Sequence, residues 1–411
     1  MLKRKISIII IFLAVIFMGF TATSVNLLKH SEKTKTVQID WNSIYPTETT
    51  EKNTTKNTEK KHIDEFKQKI FDKEAGFEKY HTNMLPFYRE ISGIVKKIEY
   101  ALSWTLVPYS EYNATTELGD GYFIGCMKKI ETKPLADSLV NFVKECKIPV
   151  SYIQVPSKVD KYNDKTSDYS NENADNFINQ VKDDVNVLDL REQIHNENLS
   201  HHSLFYRTDH HWTTKAGLWA TREIATYLNK NYNADIDLSL LEDNQFTSKE
   251  YKGWFLGSQG KKMTLSLSKP DDFELLYPKY ETSFHYTVPD HEIDTSGSYN
   301  VTIDMSQIEP KDYYGKDPYA ALNYGTPAVI KIVNDKNPTG KKILLLRDSY
   351  ASAVISNLAL CTSELDCLDL RSFNGSVYQY IEEMKPDMIL VMYGAASIDS
   401  NSENTIYNFR K

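Results

Sequence analysis

The stretch KKILLLRDSY, residues 341–350, decides the fold of this chain. Its four consecutive apolar residues, 343–346, predict a short strand that is buried on both faces, as the inner strands of parallel sheets are. Asp348 and Ser349 follow at once, and a helical pattern begins at Tyr350. A serine at such a strand-to-helix turn lies at the carboxyl edge of the sheet, where α/β folds place their functional sites.

Short apolar strands alternate with helical stretches on both sides of an unlike central segment. The predicted elements are helix 135–147, strand 149–155, helix 173–184, strand 185–190, strand 342–346, helix 350–360, strand 366–370, helix 377–384 and strand 388–393. This alternation predicts an α/β fold with a parallel sheet flanked by helices. Residues 235–327 are instead rich in Tyr, Thr, Ser and Gly, with alternating stretches at 263–267 and 299–303. They predict a β-rich insertion or a large loop region over the site.

Length and composition exclude some classes of function. The 411 residues suffice for one large or two ordinary domains, and 41% hydrophobic residues support a substantial core. The formal net charge of -8 argues against a nucleic-acid binder, which normally presents a basic face. The four cysteines lack the CxxC or Cys/His spacing of zinc and redox sites, which leaves disulfides and buried free thiols both open.

The amino terminus predicts export. Residues 6–28 are 23 residues without a charge, long enough to cross a bilayer as a helix. Basic residues at 3–5 favour a cytoplasmic amino end, so we expect a single-pass cell-membrane protein whose carboxyl-terminal domain lies outside. A cleaved signal peptide, with small residues at 21–24, is the alternative and would give a secreted protein.

Three regions are expected along the chain. The transmembrane anchor or signal segment covers residues 1–28. Residues 29–62 predict a solvated, disordered stalk, because the stretch 47–61 contains no apolar residue to bury. The folded domain is expected over residues 63–411.

The tetrapeptide Asp209-His210-His211-Trp212 lies just before a helix that we expect to begin near Thr213. One residue between Asp209 and His211 lets both side chains point to the same side of an extended segment. His211 is therefore predicted as a general base, and Asp209 as the carboxylate that orients it. His210 would be structural or substrate-facing, and Trp212 would line the pocket or fill the core. A polar helix-entry loop without chemistry is the alternative.

Ser349 supplies the nucleophile that this pair needs. Asp209, His211 and Ser349 contain the parts of a Ser-His-Asp triad, which is recognised by geometry rather than by order in sequence. The N–H of Ser349, at the start of the predicted helix, would donate to an oxyanion. The alternative is that Asp348 and Ser349 merely cap the helix.

Arg371 and Tyr393 directly follow two predicted strands, so we expect both at the same sheet edge as Ser349. There they would stabilise an oxyanion or hold a sugar hydroxyl or carboxylate. An ordinary polar contact at a strand end is the alternative for both.

A zinc site is a further alternative. Three or more of four histidines could converge on a metal together with Asp209; they are His201, His202, His210 and His211. Adjacent histidines usually face apart, and no His-x-x-x-His motif completes a coordination sphere. Neither a metal nor a bound cofactor is therefore expected.

The motif at 208–213 followed by Asp348-Ser349-Tyr350 resembles that of the DHHW proteins, which are named for the tetrapeptide. They are similar to the SGNH-hydrolase-like enzymes of bacterial alginate O-acetylation. The resemblance runs from roughly residue 66 to residue 393, and its motif regions are the specific part.

In the alginate enzymes the motif is Asp-any-His-Trp with a later Asp-Ser, which matches Asp209, His211 and Ser349. Arg371 and Tyr393 resemble active-site residue types of that family. This chain departs from the pattern in two ways. Arg347 stands where a glycine usually precedes Asp-Ser, and the acid and base precede the serine, the reverse of typical SGNH esterases.

The resemblance implies an SGNH-hydrolase-like fold and transfer or removal of acetyl groups on an extracellular glycopolymer. A membrane-bound O-acyltransferase would often stand beside such an enzyme as the acetyl donor. We expect an O-acetyltransferase that acts on polysaccharide hydroxyls through an acyl-Ser349 intermediate. A carbohydrate acetylesterase with the same triad is one alternative. The other is a non-catalytic glycopolymer-binding or scaffold protein with a decayed site, which Arg347 would favour.

Overall fold

The computed structural model describes residues 115–164, 166, 168–398 and 406–409. These residues contain twelve strands and seven α-helices, joined by 3-10 helices, turns and loops. The strands are β1 (Thr115–Gly119), β2 (Tyr122–Gly125), β3 (Val150–Gln154), β4 (Asn186–Asp189), β5 (Phe246–Phe255), β6 (Asp271–Pro278), β7 (Phe284–Val288), β8 (Ile293–Gly297), β9 (Val329–Asn334), β10 (Lys342–Arg347), β11 (Glu364–Leu368) and β12 (Met388–Tyr393). The helices are α1 (Lys133–Glu145), α2 (Ser170–Val181), α3 (Leu190–Asn196), α4 (Thr214–Tyr232), α5 (Ser258–Leu267), α6 (Ser352–Ala359) and α7 (Val377–Met384).

Eight of these strands form one mixed sheet in the order β4-β3-β12-β10-β11-β9-β7-β8. The first five run parallel, whereas β9, β7 and β8 continue the sheet in antiparallel pairs. The prediction of a parallel sheet is therefore confirmed for the first five strands and wrong for β9, β7 and β8. The physical reason is visible in β9, whose buried and less buried residues alternate, because antiparallel outer strands need only one buried face.

Helices cover both faces of the parallel part, as the alternation of elements predicts. On one face α1, α2 and α7 pack against β10 and β12 through a cluster that includes Phe142 and Phe177. On the other face α4 and α6 pack against the same strands through a cluster that includes Ile224 and Val354. The two helices approach closely at Gly217, where any side chain would clash with Ala353. The residues that matter for the site lie on this second face.

The central segment contains β5 to β8, α5 and several 3-10 turns. The β5 and β6 strands form a separate antiparallel ribbon, while β7 and β8 extend the main sheet. Two local predictions are wrong, because 263–267 lies in α5 and Tyr299–Thr302 is a 3-10 helix. In the second case the Thr302 hydroxyl donates to the Tyr299 carbonyl at 2.9 Å, which satisfies the turn internally.

The predicted membrane anchor at 6–28 and the stalk at 29–62 lie outside the described residues. Within the described part of the chain, no helix combines the length and apolarity needed to cross a membrane. The first half-hundred residues of the predicted domain 63–411 are likewise not described, so its amino-terminal limit stays a prediction.

Candidate active site

Asp209, His211 and Ser349 form one hydrogen-bonded row, although 138 residues separate the histidine from the serine. His211 Nδ1 lies 2.6 Å from Asp209 Oδ1, and His211 Nε2 lies 2.8 Å from Ser349 Oγ. An ionised carboxylate only accepts hydrogen bonds, so Nδ1 carries the ring proton and Nε2 accepts from the serine hydroxyl. This is the arrangement in which a histidine can take a proton from a serine.

Asp209 is held as a buried carboxylate. Its Oδ1 also accepts from the His211 backbone N–H at 3.0 Å, and Oδ2 accepts from the Ser258 N–H at 2.7 Å. Burial opposes ionisation, but electrostatic interaction with the neighbouring His210 and His211 rings and these hydrogen bonds hold the pKa of Asp209 well below its usual value. Gly257 lets the α5 turn approach this closely, because a side chain there would clash with Asp209.

Two reciprocal hydrogen bonds join the loop that carries Asp209 to the turn that carries the serine. The Trp212 indole Nε1–H donates to the Tyr350 carbonyl at 2.9 Å, and the Tyr350 hydroxyl donates to the His210 carbonyl at 2.7 Å. Trp212 has no exposed surface. The structure therefore places Trp212 in the core between the two loops, which agrees with the second of the two roles expected for it and not with a pocket-lining role.

The start of α4 fixes the other end of this loop. Thr213 is the N-cap residue, and its side chain accepts from the Ala216 N–H at 3.2 Å. The helix beginning predicted near Thr213 agrees with this cap. Because the loop is anchored at its helix and at Tyr350, His211 has little freedom to leave the serine.

Aromatic rings enclose the His211 imidazole. The Tyr319 ring stacks on it with centroids 3.9 Å apart and planes 9° apart, and the His210 ring centroid lies 3.7 Å away. The Tyr319 hydroxyl donates to the Tyr350 carbonyl at 3.2 Å. Tyr319 lies on a 3-10 turn in the central segment, and no periodic pattern in the sequence could have indicated its role.

His210 lies at the mouth of the site, with 40% of its side chain exposed and Nδ1 3.1 Å from Ser258 Oγ. Desolvation by the surrounding protein lowers the pKa of His210 to about 4, and the charge of His211 adds to this effect.

Asp348 stabilises the turn that carries Ser349 through hydrogen bonds from both sides. Its Oδ1 accepts from the Tyr350 N–H at 2.9 Å, which caps the 3-10 turn Ser349–Ala351. Its Oδ2 accepts from the Gly394 N–H at 2.6 Å and from the Ser397 hydroxyl at 2.7 Å, both beyond the end of β12. The helix-cap alternative for Asp348 is thus correct, and it coexists with the contact of Ser349 to His211. The Ser349 N–H, as the first of its helix, is available to an oxyanion.

Tyr393 is not brought to Ser349. It lies buried in the cluster on the opposite face of the sheet from Trp212, and its hydroxyl donates to the Ile406 carbonyl at 2.8 Å. Successive strand residues alternate between faces, and Met392, not Tyr393, belongs to the face of the triad. The prediction that Tyr393 stabilises an oxyanion is wrong for this physical reason.

Arg371 is held in a turn by its own neighbour. Its guanidinium forms two hydrogen bonds to Asp369, at 2.9 and 2.6 Å. The Arg347 guanidinium is fully buried, with Nη2 donating to the Pro327 carbonyl at 3.0 Å. Neither arginine contacts the described residues of the triad, so Arg347 does not crowd the serine turn.

Lys158 is a buried residue that the sequence did not single out. Its Nζ donates to the carbonyls of Phe123 at 2.7 Å and Arg207 at 3.1 Å, two residues before Asp209. Burial lowers the pKa of Lys158 to about 7, against the charges of Asp209 and Asp271. Its position shortly after a strand end is the signal that could have indicated it. Its hydrogen bond to the Arg207 carbonyl supports the loop that carries Asp209.

Asp209, His210 and His211 also offer donor atoms within 4.8 Å of one another, which is a spacing that metal ions accept. Two of these three residues already use their atoms within the triad row. His201 and His202 are not part of this group, because their Nε2 atoms contact the Ser157 carbonyl and Asp164 at 2.9 and 2.8 Å. The arrangement therefore fits proton transfer better than coordination.

Comparison with known proteins supports the same interpretation of the fold. Residues 134–270 match the family model described as SGNH hydrolase-like domain, acetyltransferase AlgX. The solved structure of Bacillus cereus PatB1 with a sulfonyl adduct is similar at a TM-score of 0.57 and 20% identity, covering 72% of this chain and 98% of that one. A DHHW family protein from Eubacterium siraeum is similar at a TM-score of 0.53 and 18% identity, covering 74% and 97%. No curated protein matches.

The matched region 134–270 contains the tetrapeptide with Asp209 and His211 but ends before Ser349. The two solved structures span nearly all of their own length on this chain, which shows that they share its fold. Residues 134–270 of this chain are thus similar to the SGNH hydrolase-like domain of the AlgX family model, and the chain shares its fold with PatB1 and with a DHHW family protein.

Proposed function

We propose that this protein is an extracytoplasmic O-acetyltransferase that acts on hydroxyls of a cell-surface or secreted polysaccharide. The hydrogen-bonded row Asp209–His211–Ser349 is the observation that carries the proposal. The match of residues 134–270 to an acetyltransferase domain supports the choice of the acetyl group.

In the first half-reaction Ser349 Oγ attacks the carbonyl carbon of an acetyl donor while His211 Nε2 takes the hydroxyl proton. Asp209 stabilises the imidazolium that forms, and the Ser349 N–H donates to the oxyanion. The tetrahedral intermediate collapses as the bond to the donor breaks and His211 returns the proton to the leaving group. An acetyl ester on Ser349 remains.

In the second half-reaction a sugar hydroxyl approaches the acetyl-Ser349 ester. His211 takes its proton, and the sugar oxygen attacks the acetyl carbon. The bond to Ser349 Oγ then breaks, and His211 restores the serine hydroxyl. Water in place of the sugar would make the same residues an acetylesterase, so exclusion of water from the acyl intermediate decides between the two activities.

The place of action is part of the proposal and rests on sequence alone. Residues 6–28 have the length and apolarity of a membrane anchor, with the basic residues 3–5 on the cytoplasmic side. The domain from about residue 63 would then work outside the membrane, and a membrane-bound O-acyltransferase would supply the acetyl group.

Intact-mass spectrometry of the full-length protein after incubation with an activated acetyl ester tests the nucleophile. We expect one acetyl adduct on the parent protein and none on Ser349→Ala. The matched control is Ser352→Ala, which removes a serine three residues further on and should keep the adduct. A sulfonyl fluoride should label the same serine, in line with the adduct in the PatB1 structure. Labelling that persists in Ser349→Ala would refute the assignment.

A further inference from the structure

A second cleft opens beside the loops that follow β3 and β4, at the sheet edge that also carries Ser349. It holds about 370 Å³ of space, including its open mouth, and is lined among others by Tyr162, Asn163, Arg191, His195 and Asn198. We refer to it as the Tyr162 cleft. None of the triad residues lines it.

A preformed aromatic surface stands in this cleft. Tyr162 is 44% exposed, and its ring stacks on the exposed His195 ring with centroids 3.9 Å apart and planes 22° apart. The Tyr162 hydroxyl donates to Glu192 at 2.5 Å, and its backbone N–H donates to Asp160 at 2.9 Å. The ring is therefore held in place without a ligand, which lowers the entropic cost of binding one. Lys161 Nζ lies over the Tyr162 ring at 5.6 Å from its centroid, so the aromatic surface left to the apolar CH face of a sugar is the exposed part of this ring pair.

The charges around the cleft exclude an anionic ligand. Lys161 Nζ contacts Asp175 at 3.0 Å and Glu192 at 2.8 Å. Arg191 Nη2 contacts the same Asp175 at 2.8 Å and Asp189 at 2.6 Å. Each of these two cations already forms ion pairs with two carboxylates, so a uronate or a phosphate in the cleft would find its charge poorly balanced. A neutral ligand with hydroxyl or amide groups meets no such penalty, and Asn163 and Asn198 offer amides for it.

The loop after β3, which lines the cleft, is hydrogen-bonded to the loop that carries Asp209 and His211. Strand β3 is two strands away from β10 in the sheet, which places their ends roughly 10 Å apart. The loop after β3 is tied to the loop of the triad by Lys158, which donates to the Arg207 carbonyl at 3.1 Å. It is also tied by His201, whose Nε2 lies 2.9 Å from the Ser157 carbonyl. An extended polymer that runs along this edge of the sheet would pass both places.

We propose that the Tyr162 cleft is a subsite that binds a neutral sugar residue of the acceptor polymer, one or more units away from the residue that receives the acetyl group. This subsite rests on the proposed function for its biological meaning. It adds a substrate class, because it selects polymers of neutral hexose or N-acetylhexosamine over polyuronates. Its role is binding only, with no bond made or broken.

Calorimetric titration of the full-length Ser349→Ala protein tests the subsite without any turnover. The probes are cellohexaose, the hexamer of β-1,4-linked N-acetylglucosamine, and a hexamer of galacturonate. We expect at least one neutral hexamer to bind, and Tyr162→Ala or His195→Ala to weaken it by about tenfold or more. Tyr162→Phe, which keeps the ring, should bind within about twofold of its parent.

Tyr378→Ala is the matched control, because Tyr378 also donates to a surface glutamate, Glu145, at 2.6 Å but lies on α7 on the other face of the sheet. Its binding should equal that of the parent. The subsite would be overturned if no neutral hexamer bound, if the galacturonate hexamer bound more tightly, or if Tyr162→Ala and His195→Ala left the affinity unchanged.

The failure of the subsite and the failure of the proposed function give different results. Formation of the acetyl adduct from an activated ester needs no sugar, so in the protein with Ser349 intact it tests the proposed function apart from the subsite. If sugar binding is lost in Tyr162→Ala but no protein with Ser349 forms an acetyl adduct, the subsite is supported and the acetyltransferase is refuted. An adduct with no Tyr162-dependent sugar binding would do the reverse.

Discussion

At the scale of single residues, His211 is fixed by contacts of three kinds. Asp209 accepts from one ring nitrogen, Ser349 approaches the other, and Tyr319 covers a face of the ring. The carboxylate sets the tautomer, since only an Nδ1–H tautomer leaves Nε2 free for the serine. The spacing Asp-x-His was enough to predict this pair from sequence.

Replacing the orienting carboxylate should disable the base without unfolding the protein. We expect Asp209→Asn to lower kcat for acetyl-ester turnover by about 10³- to 10⁴-fold, because the amide favours the wrong tautomer. Steady-state kinetics with an activated acetyl ester measures this. Asp294→Asn is the control, because Asp294 contacts His285 at 3.0 Å outside the site and its loss should leave kcat unchanged. Parental turnover in Asp209→Asn would contradict the role of the carboxylate.

Tyr319 is expected to act as a positioning residue for His211. Tyr319→Leu removes the ring face and should lower kcat by about tenfold with little change in KM, because the loss of a face-on ring contact affects the imidazolium formed during the reaction. Tyr319→Phe keeps the ring and should remain near the parental kcat. A purely structural role would instead lower the activity of both variants in proportion to their loss of folded protein.

His210 should make stability depend on pH. An unfolded histidine binds its proton near pH 6.5, whereas folded His210 does so only near pH 4. Between these values the unfolded chain holds the extra proton, so this contribution to stability is lost as the pH falls from 7 towards 4. Urea unfolding at pH 7 and pH 5 should show a smaller loss for His210→Gln than for the parent. The exposed His285→Gln serves as the comparison, and an equal loss in parent and His210→Gln would contradict the account.

At the scale of elements, two loops far apart in sequence depend on each other. Trp212 and Tyr350 each donate one hydrogen bond to the other's loop. The Tyr350 carbonyl also accepts a hydrogen bond from the Tyr319 hydroxyl. The His210 carbonyl accepts from the Tyr350 hydroxyl. The serine turn and the DHHW loop should therefore behave as one structural unit.

A double-mutant cycle measures this unit. Tyr350→Phe should lower the free energy of unfolding by about 1 kcal/mol, as the loss of one buried hydrogen bond does. Trp212→Phe should cost more, because the smaller ring also leaves a cavity in the core. Because both bonds join the same pair of loops, the double variant should lose less than the sum of the two. Chemical denaturation of the four proteins gives the coupling. Strict additivity would show that the loops are held independently.

The same scale explains which site residues could not be predicted. The predicted strand end places Tyr393 at the correct edge of the sheet but does not determine its face, since a shift of one residue moves a side chain to the other face. The contacts among Asp209, His211 and Ser349 were predictable, because the spacing of the first two and the strand-to-helix turn of the third carry a physical meaning. Tyr319 reaches the site from a 3-10 turn, which leaves no periodic signal in the sequence.

At the scale of the whole molecule, the parallel half of the sheet was predictable and the antiparallel half was not. Strands such as β12, buried at all its positions, alternate with helices and so indicate parallel crossovers. The direction of β7, β8 and β9 is set by tertiary pairing across a long insertion, which no local pattern encodes. That insertion also supplies Tyr319 and the Ser258 N–H, so the part that was hardest to predict completes the environment of the triad.

The fate of the acetyl group on Ser349 tests the central claim most directly. The acetylated full-length protein would be freed of donor and divided between buffer and buffer with a neutral oligosaccharide, and peptide mass spectrometry would follow acetyl-Ser349 over time. We predict that its loss accelerates with saccharide concentration and that an equal amount of O-acetyl ester appears on the sugar. Release as acetate at a rate independent of saccharide would make the protein an esterase, and acetylation of any residue other than Ser349 would contradict the mechanism itself.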